Sequence, residues 1–591
     1  MAFAQVLDIV GSAGRFQVMH VLIVTLPMLF LAACNIFQNF GGATPSHRCR
    51  VPWIDGPNAT LAQPGLQQRG ALHDGAQRSS LSLLRAAVPL NPRGKDSACE
   101  VYTKPQWHLM RCADGNGTGG GHGCDGSGDG GGDGGARAGE DVQVEGCANG
   151  WKFDQSEFTS TIVTEWDLVC DRSGLKQMAQ TVYMGGLLIG AVVFGDLGDR
   201  LGRGRVLSLS YLLTALASTA TAFAPNLAIY TAGRCVVGLG VAGISLNAFS
   251  LGVEWIAMKD RTLYGTLSGV AYTTGQLVLV ALAYYIRDWR HLQHSISAAF
   301  YVFFLCSWFT PESARWLVMH GHYERALHGL KRVAVINGRK REAVHLTVNY
   351  LRKELEEEDT GPRRFYTMFN LLTIPALRRR TLVMSLVWFS TSFSYYGFSL
   401  NIRGFAVNIF LMQVIYGAID YPAKVVGLVV LSLLGRRATQ AGSLAVASIA
   451  SFCLLAIPAE SITARTCLAV LGKGALSCSF NCAYLYTGEI FPTVIRQSGL
   501  GLCSTMARVG GMLAPLVIMV GESLPALPLS MYGGASLVAG SLVYFLPETL
   551  NRPLPETIEE LSEAHARDRE MPLMKKKKYD TNGANVEPQP S

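Results

Sequence analysis

Two basic side chains stand where the sequence is otherwise apolar. Arg508 falls inside the run 499–520, and Lys424 inside the run 405–434. An Arg at the centre of a membrane helix costs about 2.5–3.5 kcal/mol on insertion scales, so it must face a watery cavity or a partner. A fixed cation in a low-dielectric cavity attracts an anion and repels a cation. The guanidinium fork also binds a carboxylate or sulfate through two hydrogen bonds. No Asp or Glu lies within 499–520, so Arg508 has no acid on its own helix. Lys424 differs, because Asp420 precedes it by one helical turn. It either pairs with Asp420 or serves an anion. Arg234 and Lys473 are further cations within apolar runs. Arg234 reads as structural or gating, and the role of Lys473 stays open.

Aromatic residues accompany these charges. Trp388, Phe389, Tyr395 and Tyr396 cluster in one run, Tyr272 lies in another, and Phe480 and Tyr484 are one turn apart in a third. An amphipathic, drug-sized anion needs aromatic walls and few polar anchors. In membrane helices such rings also pack against lipid or other helices, so each alone says little.

The elements that must position these groups follow from composition. The chain has 591 residues, 49% hydrophobic and only 16% charged. Soluble proteins carry about a quarter charged residues. A bilayer-spanning helix needs about 20 apolar residues. Such runs lie at 16–37, 178–198, 206–224, 227–248, 264–286 and 292–310, then at 381–400, 405–434, 440–458, 466–487, 499–520 and 526–546. The first resembles a signal peptide but is too long for one, and many spans follow it. The sequence therefore predicts an all-α membrane protein with twelve transmembrane helices. Residues 1–15 form the N-terminus, and 16–310 a first half with a long loop at 38–176. Residues 311–377 form a central loop, predicted helical at Tyr323–Val335 and Glu342–Glu358. Residues 378–546 form a second half and 547–591 a tail. The net charge of +8 fits Lys and Arg gathered in cytoplasmic loops and is only weak evidence for nucleic-acid binding, which is not expected.

The long loop holds Cys49, Cys99, Cys112, Cys124, Cys147 and Cys170. An even cysteine cluster in one polar segment predicts disulfides and an oxidising compartment, with the pairing open. No CxxC pair among them suggests a metal site. The same loop holds the sequons at Asn58 and Asn116. Its middle, Asp114 to Gly139, is Gly/Asp-rich and reads as a flexible insert. Arg200, Arg203, Arg205, Lys259, Arg261, Arg378 to Arg380, Arg436, Arg437 and Arg496 fall on the opposite side, which predicts that side, and both termini, to be cytoplasmic. Lys575 to Lys578 then lie in a cytoplasmic tail.

An internal repeat divides the chain. Glu254 matches Glu489, Arg261 matches Arg496, Glu312 matches Glu548 and Gly202 matches Gly435, at offsets of 235, 235, 236 and 233 residues. Four anchors at nearly one offset predict two six-helix halves related by an axis along the membrane normal, with a central site between them.

Gly195-Asp-Leu-Gly-Asp199-Arg200-Leu-Gly202-Arg203-Gly-Arg205 resembles the signature between helices 2 and 3 of the major facilitator superfamily, where it latches the cytoplasmic side. Gly204 departs from the basic residue usual there. Arg234-x-x-x-Gly238 is likewise seen widely in that superfamily. Met1-Ala-Phe3, Gly14-Arg-Phe-Gln17, Ser160 to Asp167, Pro311-Glu-Ser-Ala-Arg-Trp316, Gly488-Glu-Ile-Phe-Pro-Thr493 and Pro547-Glu-Thr549 resemble solute carrier family 22. Within it, Ser394-Tyr-Tyr-Gly397, Asp420-Tyr-Pro-Ala-Lys424 and Ser504-Thr-Met-Ala-Arg508 look like the renal-type organic anion transporters. The resemblance covers nearly the whole chain except the Gly-rich insert.

The resemblance implies a plasma-membrane carrier of organic carboxylates and sulfates. It places Arg508, Lys424, Tyr272, Tyr395, Tyr396 and Phe480 at a central site, with Trp388, Ser504, Asn35 and Asn39 joining them. Asp199, Arg200, Arg203, Arg234, Glu254, Arg261, Glu312, Glu489 and Arg496 look like a gating network, or a set of surface ion pairs. It further implies exchange for an intracellular dicarboxylate, with chloride as a co-bound ion and no other cofactor. The alternatives are an organic cation or carnitine carrier, against which Arg508 argues, and a receptor using the long loop. An enzyme is not expected, since no phosphate-binding GxxxxGK[ST] loop and no nucleophile–base or metal constellation stands out.

Overall fold

The computed structural model describes the chain except residues 1–5, 8, 12–13, 56–83, 85, 91–95, 107–142, 258–259, 353–368, 402–407, 459, 493–494, 551–557 and 559–591. Asn58, Asn116, Cys112, Cys124, Lys259, Met1 to Phe3, Thr493, the Gly/Asp-rich insert and Lys575 to Lys578 therefore lie outside the described residues. The remainder forms two compact units, residues 42–175 and the rest of the chain.

Twelve of the larger unit's helical segments match the predicted apolar runs: α1 (Arg15–Gly41), α2 (Gly174–Leu201), α3 (Arg203–Ala222), α4 (Leu227–Glu254), α5 (Arg261–Tyr285), α6 (Trp289–Ser307), α7 (Pro375–Leu400), α8 (Ile409–Leu434), α9 (Arg436–Ala456), α10 (Ile462–Ile490), α11 (Arg496–Val520) and α12 (Leu527–Val543). Each covers a predicted apolar run within a few residues at either end. α1 is interrupted before Pro27 and again at Phe37. Pro27 lacks the N–H that a continuous helix would use.

Seven segments are long and apolar enough to cross a bilayer by length and composition: α1, α2, α4, α5, α8, α9 and α11. α3, α6, α7, α10 and α12 fall short of that measure. α3 opens on Arg203 and Arg205, α6 carries Arg290 and Gln293, α7 begins with Arg378 to Arg380, and α10 carries Arg465 and Lys473. α12 is short, at 17 residues. These helices pack against the apolar ones: α3 lies on α4 and α6, α7 on α11 and α12, and α9 on α10 and α12. α5 and α8 form a seam between the two halves. Phe393, Ala514, Ile518 and Tyr532 make one tightly buried cluster of the second half.

The repeat is visible in the geometry. Gly202 and Gly435 cap α3 and α9 with φ of +101° and +86°, a backbone region that suits glycine. Each faces a carboxylate. The Glu312 carboxylate accepts from the N–H groups of Gly204 (2.8 Å) and Arg205 (3.3 Å). The Glu548 carboxylate accepts from Arg436 (2.9 Å) and Arg437 (3.0 Å). A helix start leaves unpaired N–H groups and positive dipole, so an acid there satisfies both.

The loop between α6 and α7 is helical over Ala314–Met319 and Tyr323–Ile336. The helix expected over Glu342–Glu358 is not continuous: Glu342–His345 is a single 3₁₀ turn, Leu346 is extended, and helix resumes only at 348–352. Its terminal part lies outside the described residues.

The smaller unit pairs β1 (His47–Cys49) with β4 (Trp151–Phe153) and β2 (Glu100–Tyr102) with β3 (Val144–Gly146), both antiparallel. Disulfides join Cys49 to Cys147 and Cys99 to Cys170. Asp55 accepts from Arg48 at 2.6 and 2.7 Å, from Lys152 at 2.9 Å and from the Val51 N–H at 3.1 Å. Burial alone would raise its carboxyl; these hydrogen bonds outweigh burial and hold it well below the usual carboxylate range.

Candidate functional site

Arg508 projects from α11. Its Nη1 donates to the Ser504 hydroxyl at 2.6 Å and the Ser504 carbonyl at 3.2 Å, one turn earlier. Tyr484 of α10 and Tyr396 of α7 are its electrostatic neighbours. Among the described residues no carboxylate pairs with it. Tyr484 packs edge-on against Trp388 at 4.4 Å, yet 53% of its surface is open. Arg508 itself is half-buried.

A polar chain runs from Arg508 into the first half. Tyr396 and Tyr272 of α5 are electrostatic neighbours. The Tyr272 hydroxyl accepts from Asn35 Nδ2 at 3.1 Å, and Asn35 Oδ1 accepts from the Tyr183 hydroxyl at 2.6 Å. Asn35 sits in the part of α1 that begins at Pro27. Behind it, Arg234 is fully buried, 4.2 Å from the Tyr183 ring centroid and 5.4 Å from that of Phe37. Its Nη2 donates to the Cys34 carbonyl and Gln180 Oε1, both at 3.3 Å. Arg234 thus supports the ring that holds Asn35. Asn39 Nδ2 reaches across the halves to the Ser399 carbonyl (2.9 Å) and Gln413 Oε1 (3.1 Å).

Lys424 does not pair with Asp420. Its Nζ donates to the Gly269 carbonyl at 2.5 Å and Thr273 Oγ1 at 2.7 Å, both on α5. Asp420 has other donors. Lys473 Nζ reaches Oδ1 at 3.0 Å, while Gln276 Nε2 (3.1 Å) and the Tyr395 hydroxyl (3.3 Å) reach Oδ2. Lys473 also donates to the Tyr416 carbonyl at 2.7 Å and lies 5.0 Å from the Tyr395 ring centroid. Tyr395 meets Phe480 edge-on at 5.4 Å and Tyr396 at 5.7 Å. The Lys473–Asp420 pair cancels its own charge. Arg508 and Lys424 remain, so the site carries a positive field.

Trp388, expected on the pocket wall, lies behind it. It is 1% exposed, and its Nε1 donates to Thr487 Oγ1 at 2.9 Å. Its indole N–H is satisfied between α7 and α10, and its ring backs Tyr484. Gln276, Thr273 and Tyr183 went unnoticed in sequence. They are uncharged residues in apolar runs, and only a tertiary partner marks them.

The expected gating residues other than Arg234, which lies buried behind Asn35, gather at the helix ends that bear the basic loops. Arg203 pairs with Glu254, and with Asp199 at 3.0 Å. Arg200 pairs with Asp196 at 2.9 Å. The Asp199 carbonyl accepts from Trp316 Nε1 at 2.7 Å. In the second half, Arg436 pairs with Glu489 at 2.8 Å, and Glu489 accepts from Thr549 at 2.6 Å. Arg496 Nε donates to the Phe491 carbonyl at 3.4 Å, and Arg261 lies near Arg315. The Glu254 and Glu489 pairs run within their own halves.

Two repeated helical halves around a cationic centre define a transporter of the major facilitator class. Residues 162–561 match the family model described as "Sugar (and other) transporter". The inward-open xylose transporter XylE from E. coli aligns with a TM-score of 0.55 at 19% identity, over 68% of this chain and 93% of that one, which supports the shared fold. A partially occluded form of XylE gives 0.52 at 17% identity, over 64% and 89%.

Among curated relatives, "Solute carrier family 22 member 6" of Pseudopleuronectes americanus is 45% identical, over 95% of each chain. The protein of that name from Danio rerio is 43% identical over 95% and 94%, and "Organic anion transporter 3" of Mus musculus 42% over 95% of each. The chain belongs to solute carrier family 22. It is a multi-pass membrane transporter and not an enzyme.

Proposed function

We propose that this chain carries amphipathic organic anions, carboxylates and sulfates, across the plasma membrane. The observation that carries this reading is Arg508, a half-buried mid-helix cation whose hydrogen-bond partner is Ser504 and which no carboxylate among the described residues pairs with. A carboxylate or sulfate supplies the missing counter-charge, and Tyr396, Tyr484, Tyr395 and Phe480 supply aromatic walls. The names of the relatives, organic anion transporter 3 among them, support the same substrate class. A cation carrier would need a free acid in the spans. Asp420 is a buried acid there, and Lys473, Gln276 and Tyr395 already occupy it.

Both termini lie in the cytoplasm in this reading, the 42–175 unit outside with Asn58 and Asn116 glycosylated, and the halves rock about the central site. An intracellular dicarboxylate leaves as the organic anion enters, and chloride shares the cationic centre. The test is uptake of a labelled aromatic carboxylate, p-aminohippurate, into cells preloaded with 2-oxoglutarate. Preloading should raise uptake. Uptake indifferent to preloading would remove the exchange step and leave the anion site.

A further inference from the structure

We propose that Thr273 and Gly269 of α5 hold Lys424 of α8 as a latch between the halves, and that a substrate carboxylate opens it. The proposal rests on the anion reading above. Lys424 belongs to the second half and both its acceptors to the first, at 2.7 Å from Thr273 Oγ1 and 2.5 Å from the Gly269 carbonyl. Both acceptors are neutral. Asp420, one turn away, is occupied by Lys473, Gln276 and Tyr395.

The repeat adds an independent observation. The offset of 235 residues that relates Glu254 to Glu489 also relates Thr273 to Arg508. The second half carries its own cation at that place, and the first half carries a hydroxyl. Lys424 brings a cation to the hydroxyl from across the seam. The two positive groups thus stand at repeat-related positions, one fixed in its half and one borrowed.

A hydrogen bond from an ammonium to a carboxylate is roughly twice as strong as one between neutral groups, and stronger than one to a neutral acceptor. An arriving carboxylate competes with Thr273 and Gly269 for the same Nζ and frees α5 from it. Tyr421 to Thr274 at 2.7 Å and Gln276 to Asp420 at 3.1 Å still join α5 to α8, so the seam loosens without dissolving. A ligand moves a conformational equilibrium only through contacts that differ between the states. This exchange of partners is such a difference. Thr273 is therefore a positioning residue, and its hydroxyl stabilises the empty, latched state alone.

Two measurements on the full chain test the latch. In the first, KM and maximal rate of p-aminohippurate uptake are compared at equal surface protein. Thr273→Val should lower KM by about tenfold or more, the worth of one hydrogen bond to a charged donor, and Thr273→Ser should restore the wild-type value. A KM unchanged or raised in Thr273→Val would overturn the competition. The second is a double-mutant cycle of Thr273→Val and Lys424→Met in thermal unfolding of purified protein without substrate. Non-additive shifts support the contact, and additive shifts overturn it. Wild-type protein that carries no carboxylate would contradict the anion reading and the carboxylate as opener, while the unfolding cycle still decides the contact.

Discussion

Lys473 and Asp420 form an ion pair almost closed to solvent: Nζ lies 3.0 Å from Oδ1, and the side chains are 0% and 2% exposed. Their helices, α10 and α8, belong to the second half, and Gln276 brings α5 of the first half to the same carboxylate. Breaking a buried pair from one side leaves an uncompensated charge, at a cost of about 3–5 kcal/mol. Asp420→Asn and Lys473→Met should each sharply lower surface abundance and thermal stability. The double variant Asp420→Asn, Lys473→Met should be milder than either. Thermal unfolding of the purified proteins checks this, and a double variant worse than both singles would contradict the pairing.

The cradles at Glu312 and Glu548 should act alike. Glu548→Gln keeps the shape and removes the charge from the start of α9, where dipole interactions contribute about 0.3–1 kcal/mol. Burial alone would raise its carboxyl, but N–H groups of Leu550, Arg436, Arg437 and Thr549 hold it below the usual range. A lowered folded value means stability that is full above the unfolded value, about 4.3, and lost as pH falls through the folded one. Unfolding temperature followed from about pH 6 downward should fall less steeply in Glu548→Gln than in wild type.

Charge exchange tests the neighbouring ion pair. Glu489→Arg places two cations together at 15–16% exposed positions and should impair uptake. Adding Arg436→Glu should recover part of it. Recovery to no extent at all, with both variants at the surface, would mean that Glu489 acts through Thr549 rather than Arg436.

In the 42–175 unit, Cys49→Ser, Cys147→Ser and their combination should lose surface protein equally, because each removes the same bridge. Loss of a native disulfide costs about 2–5 kcal/mol in a small secreted domain. Cys99→Ser should match Cys170→Ser in the same way. A double variant clearly worse than its singles would indicate other partners.

Much of the fold was legible because a membrane helix is a long apolar run, and twelve such runs stand apart from polar loops. The repeat was legible because Gly202 and Gly435, and the acids that cradle them, solve the same problem at the start of α3 and α9. Arg508 was legible because no acid lies in its run. Lys424 was not. Helical periodicity puts Asp420 on its face but cannot tell which cation takes that carboxylate, and Lys473 on another helix takes it. Trp388 was misplaced because periodicity does not separate a pocket wall from the layer behind it. The break after His345 was hidden in a charged segment that reads as helical throughout.

Arg508→Asp in the p-aminohippurate uptake assay, with surface protein measured alongside, tests the account most directly. The account predicts that uptake vanishes while the protein remains at the surface, and that Arg508→Lys keeps a weakened uptake, since an ammonium retains the charge but not the fork. Undiminished anion uptake by Arg508→Asp would contradict the cationic site.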